Sequence, residues 1–136
     1  MELQRFVDAQ RGGGTYGQAL AELRNGRKVS HWMWFVFPQI AGLGRSSMAQ
    51  AYAIADLAEA QAYLAHPVLG PRLVECARVV ADHSDRTAEQ IFGGIDAIKL
   101  RSSMTLFAQA APDEPVFAEV LAAFFDGPDQ ATLDRL

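Results

Sequence analysis

The chain has 136 residues, half of them hydrophobic and about a fifth charged, which suits one globular domain and excludes a disordered or fibrous chain. Its formal net charge of −4 argues against a basic nucleic-acid binder. No apolar run reaches the ~18 residues of a membrane helix, and one cysteine with three scattered histidines offers neither an internal disulfide nor a spaced zinc set.

The opening Met-Glu-Leu-Gln-Arg-Phe lacks the basic-then-apolar layout of a secretory signal, so a cytoplasmic protein is expected. Charge is unevenly spread. Residues 1–45 carry six Lys/Arg against three acids, and the remainder six against thirteen. Such asymmetry can mark an anion-binding side.

In chain order, Leu3, Phe6 and Val7 sit at i, i+3, i+4 and predict a short amphipathic helix over 2–10. Three glycines, 12–14, break it. Thr15 and Gln18 have capping-box spacing for a helix at about 16–25, and Gly26 is placed to close that helix in a left-handed turn. Residues 31–39, His-Trp-Met-Trp-Phe-Val-Phe-Pro-Gln, hold both tryptophans and two of the eight phenylalanines. The propensities suit a strand, but no second alternating run offers a partner. A buried helical turn ending before Pro38 is the better reading.

Ser46 or Ser47 can cap a helix through about Ile54, and Asp56 with Glu59 a helix to about Ala65. After His66-Pro67, Leu69, Leu73, Cys76 and Val80 share one face of a helix with Pro71 in its first turn. That pattern makes Cys76 a core residue rather than a nucleophile. Thr87 and Gln90 form another capping pair, stopped by Gly93-Gly94. Residues 95–109 place Ile95, Ile98 and Leu106 on one side and Leu100, Met104 and Phe107 on the other, the pattern of a helix buried at a domain centre. Lys99 and Ser102 fall on the Ile95–Leu106 side, a costly place for a charge unless it is paired or solvated. Asp113-Glu114-Pro115 starts a helix with Val116, Phe117, Val120, Leu121 and Phe124 inward. Gly127 ends it, and Asp129 can cap a last turn.

Three runs are candidates for chemistry. Gly42-Leu43-Gly44-Arg45-Ser46-Ser47 could let a backbone approach an anion at a helix N-terminus with Arg45 as a charged fork, or could be a plain turn with a serine cap. In 31–39, Trp32 and Trp34 could stack a base or an arginine face and His31 could act as donor or general acid–base, with Gln39 alongside. The competing reading makes them core. In 95–109, Asp96 and Lys99 can pair three residues apart. Lys99 and Ser103 would then hold a polar or anionic ligand, with Asp96 as base; alternatively Asp96 caps the helix.

The runs KVSHWMWFVFPQIAGLG, AYLAHPVLGPRL, FGGIDAIKLRSSMTLF and FFDG resemble the bacterial family catalogued as domain of unknown function 1810. The resemblance spans nearly the whole chain and implies a small all-helical protein, but no catalytic residues. Some members bear the label calpastatin, yet this apolar, repeat-free sequence is unlike a disordered inhibitor. In size and helical class the chain also resembles, more distantly, small helical hydrolases of ADP-ribose N-glycosides.

The expectation is one all-α, multi-helical domain around a buried central helix. Its pocket would take a nucleotide-like, ADP-ribose-type or phosphorylated ligand, with hydrolysis as the finer reading. The ligand would be held by Trp32, Gln39, Gly44, Arg45, Ser46, Lys99 and Ser103, helped by Asp96 or His31, with no metal or cofactor. The alternative is a non-enzymatic interaction module whose aromatic surface meets a partner or its own copy. Converging polar groups in a concavity favour the first; a contiguous exposed apolar patch favours the second.

Overall fold

The computed structural model describes residues 2–136, and helices stand where periodicity and capping signals put most of them. They are α1 (Gln4–Arg11), α2 (Thr15–Arg24), α3 (Met33–Val36), α4 (Ser47–Ala51) and α5 (Leu57–Ala65), then α6 (Leu69–Ala81), α7 (Ala88–Phe92), α8 (Gly94–Ala110), α9 (Pro115–Phe124) and α10 (Gln130–Leu133). Ser46, Asp56, Thr87, Glu114 and Asp129 cap α4, α5, α7, α9 and α10 through their side chains. Each supplies an acceptor for an otherwise free first-turn N–H. Thr87 and Gln90 complete the reciprocal box.

One cap differs from expectation. Gly14, in left-handed conformation, is the N-cap of α2. The Thr15 hydroxyl turns back to the Gly12 carbonyl, and the Gln18 amide leaves to bond Ser30. Helix α4 also stops at Ala51 instead of reaching Ile54. Ile54 is taken instead by an isolated parallel bridge to Ile40, with bonds Ala41 N–H to Ile54 O (2.8 Å) and Ile54 N–H to Gln39 O (2.9 Å).

The aromatic stretch holds the expected buried helical turn. One helical turn, α3, buries Met33, Phe35 and Val36, and Trp32 and Phe37 are buried on either side. Buried Gln10 of α1 anchors it, donating to Phe35 O (2.7 Å) and the Tyr63 hydroxyl (3.1 Å), and accepting from Arg72 (3.3 Å). Arg5 ties α1 to the rest of the same layer. Its guanidinium bonds the Ala51 and Ala53 carbonyls at 2.9 and 2.8 Å, bonds the Glu2 carbonyl, and pairs with buried Glu59 at 3.5 Å. A lysine ammonium cannot span these acceptors, so Arg5→Lys should cost about 2 kcal/mol. The loss would be read as a lower urea midpoint with unchanged slope.

Helix α8 is central in its second half, where 102–107 are buried on every side. Phe107 meets Tyr63 of α5 at 5.4 Å and Phe117 of α9 at 5.9 Å. Ser102 bonds Asp129 at 3.2 Å, and Thr105 accepts the Asp129 N–H at 2.8 Å. The first two turns differ from expectation. Ile95 and Ile98 are 75% and 67% exposed, because neighbours cover that end of α8 only along Ala97 and Leu100. Lys99 therefore does not sit on a sealed apolar face. Cys76 is core as expected, and burial pushes its thiol up to about 12. No helix among the described residues is long and apolar enough to cross a membrane.

Candidate functional site

The site grows from a single carboxylate on α2. Glu22 Oε1 accepts from the N–H groups of Val29 (2.7 Å) and Ser30 (2.8 Å) and from the Trp32 indole (2.9 Å), while Oε2 accepts from the Ser30 hydroxyl at 2.6 Å. Burial opposes the charged form. The bonds from Ser30, Val29 and Trp32 outweigh it and hold the carboxyl at about 2. The result is a rigid 28–32 loop although it has no regular secondary structure.

That loop aims Lys28 inward. Its backbone N–H bonds Ile91 O at 2.7 Å, and its side chain is only 7% exposed. The ammonium donates to Ser30 O at 2.5 Å, pairs with Asp96 Oδ2 at 2.9 Å and lies 5.1 Å from the centroid of the Trp32 ring. The other oxygen of Asp96 faces Lys99 at 3.5 Å, and the Lys99 ammonium lies 5.0 Å from the centroid of half-buried Trp34. Two ammoniums thus share one carboxylate against two indole faces, a local positive excess of partly desolvated cations that ionised Glu22 offsets from the loop.

The start of α8 adds to that excess. Gly93 precedes it at φ +82° with no side-chain cap, and the first N–H bonded within the helix is that of Ala97. Asp96 is the acidic residue that its own first turn sets against the N-terminal end of the helix dipole. A recess of about 330 Å³ opens here, lined by Phe92, Gly93, Gly94, Ile95 and Asp96. Ser103, one turn beyond Lys99, is fully buried, and its hydroxyl has no hydrogen-bond partner among the described residues.

Of the residues singled out in the sequence, the fold brings Asp96, Lys99 and Trp32 into this cluster, with Ser103 further along α8. His31 is exposed on the same loop, and no hydrogen bond engages its ring among the described residues. Gln39 is half-buried and its carbonyl serves the bridge to Ile54. The turn of Gly44, Arg45 and Ser46 belongs to α4. Ser46 caps it by accepting from Ala49 N–H at 3.1 Å, exposed Arg45 offers its carbonyl to Gln50, and a β-carbon on Gly44 would lie 2.4 Å from that of Ala49. Among the described residues, no hydrogen bond or ion pair joins this turn to the Asp96 cluster.

Sequence reading missed Glu22, Lys28 and Ser30 as site residues, while Trp34 was singled out with Trp32 as a stacking ring. A basic and polar approach to the aromatic stretch was visible. The tie between them was not, because it crosses from α2 to α8 through space. No group of three or more His, Cys, Asp or Glu is gathered as a metal-ligand set among the described residues.

Fold and cluster together define a small all-α protein with a Lys28–Asp96–Lys99 ion-pair cluster, set against two tryptophans, beside a recess at the start of its central helix. The chain belongs to the family described as "Protein of unknown function (DUF1810)", whose model matches residues 1–136. It is similar to the crystal structure of the conserved hypothetical protein Rv1873 from Mycobacterium tuberculosis. That similarity is 50% identity over 99% of this chain and 96% of the other, with a TM-score of 0.95. No curated protein matches the sequence.

Proposed function

We propose that the protein binds a small anionic ligand bearing a planar ring, of nucleotide-like character, at the Lys28–Asp96–Lys99 cluster. The observation that carries this reading is Lys99, held 3.5 Å from Asp96 and 5.0 Å from the Trp34 ring. At that length the pair is looser than a charge-assisted hydrogen bond, so an incoming phosphate or carboxylate can take the ammonium while the ring lies against Trp34. Lys28, Trp32 and Ser103 would support the site from beneath.

Binding is better supported than hydrolysis. Asp96 has both oxygens engaged by ammoniums, so service as a general base would first require breaking an ion pair. His31, exposed on the 28–32 loop, is the other group able to move a proton. The second reading, a protein-interaction surface, draws on Val29, Ile95 and Ile98, exposed by 73%, 75% and 67% beside the cluster.

A thermal-shift panel of ADP-ribose, nucleoside monophosphates and sugar phosphates separates the two. A ligand at ~100 times its dissociation constant adds about 2.7 kcal/mol, a rise of several degrees. Lys99→Ala should weaken that ligand at least tenfold, while Arg45→Ala leaves it unchanged. No shift across the panel, together with concentration-dependent self-association abolished by Ile95→Ser, would replace the ligand reading with the interaction surface.

A further inference from the structure

A larger concavity lies away from the Asp96 cluster. It is a groove of about 710 Å³ along the outer side of α6, floored by Leu64, Pro71, Val74, Val79 and Ala111 and bordered by Arg24, Glu75, Arg78 and Glu114. Its size and largely apolar lining fall within the range of small-molecule sites, roughly 300–1,000 Å³. From Pro71 to Val79 it follows about 12 Å of helix.

The charged groups on its rim are unequally satisfied. Glu75 accepts the Tyr16 hydroxyl at 2.5 Å, and Glu114 caps α9 by accepting from Val116 N–H at 3.3 Å. The two arginines have less. Arg24 approaches Glu75 only to 4.0 Å and Arg78 approaches Glu114 only to 3.8 Å, both beyond hydrogen-bond length. Neither guanidinium makes a hydrogen bond among the described residues. Planar five-donor forks beside an apolar floor, with their donors unspent, suit a carboxylate that brings its own hydrocarbon body.

We propose that this groove is a second binding site, for an amphipathic monocarboxylate of medium chain length. The chain would lie along Pro71, Val74 and Val79, and the carboxylate would be taken by Arg24 and Arg78. The site is independent of the nucleotide-like reading: it shares no residue with the Asp96 cluster and needs no reaction.

The test is calorimetric titration of the intact protein with decanoate below its micelle concentration, with decanol and acetate as probes lacking one half of the chemistry. Saturable binding of decanoate, at least tenfold tighter than either probe, is expected. The double variant Arg24→Gln/Arg78→Gln should weaken it tenfold or more, and Lys99→Ala should leave it unchanged. The arginines make only long, exposed pairs, so the double variant should keep the wild-type circular dichroism. The proposal is overturned if decanoate does not saturate, if decanol binds equally well, or if the loss follows Lys99→Ala in place of the arginine variant.

Discussion

Glu22→Ala should lower stability by about 3 kcal/mol, read as a fall of about 10 °C in the thermal midpoint. Four donors converge on this carboxylate. The exposed Val29 N–H can turn to water, but the Trp32 indole is buried and would be left unpaired. An orphaned buried donor costs about 1–3 kcal/mol on its own. The loop that aims Lys28 at Asp96 would loosen with it, so ligand binding at the cluster should weaken in parallel.

Glu22→Gln keeps one oxygen acceptor and should cost about 1 kcal/mol at neutral pH. It should also change the acid response. The folded carboxyl sits at about 2, below its ordinary 4.5, so its stabilisation is fully present above 4.5 and is lost as pH falls from there through 2. Wild type should lose stability over that window more steeply than Glu22→Gln. Parallel unfolding curves for the two proteins between pH 4.5 and 2 would contradict this role for Glu22.

Gly70→Ala should cost about 3 kcal/mol, although alanine is ordinarily the better helix former by about 1 kcal/mol. A β-carbon at Gly70 would lie 2.0 Å from the Leu64 carbonyl oxygen and 2.9 Å from its carbon. These are backbone atoms at the end of α5 and cannot swing aside. The α5–α6 corner would have to open, moving Leu64 and Pro71 and reshaping the groove they line. Gly17→Ala is the matched control: it lies inside α2 with nothing within 4 Å of the added carbon. It should stabilise by about 0.5–1 kcal/mol. Opposite signs for the two substitutions, measured by urea unfolding, are the expected result. A stabilising Gly70→Ala would mean that the corner is not close-packed.

Local signals in the sequence were legible because their physics is local. Ser46, Asp56, Thr87 and Asp129 cap because a short polar side chain before a helix meets a free N–H two or three residues on. The buried face of α6 and the turn at 33–36 follow from periodicity and from Pro38. Thr15 is the instructive exception. Gly14 can adopt the left-handed conformation and take the cap position, which frees Gln18 for Ser30. Ile95 and Ile98 show the limit of periodicity: a helical wheel places side chains on sides, but only the neighbours decide which side is covered.

The sequence by itself determined an all-α domain, its family, most helix boundaries and a buried aromatic stretch, and it showed that Asp96 and Lys99 could pair along one helix. Tertiary structure alone decided that Lys28 completes that pair from the other side, that Glu22 holds the loop which makes this possible, and that no bond joins the Gly44-Arg45-Ser46 turn to the cluster among the described residues. It also decided that two underused arginines flank an apolar groove. Caps and periodic faces are set by residues within about one helical turn. A binding site is set by charges and rings brought together across tens of residues, and their meeting depends on how whole helices pack.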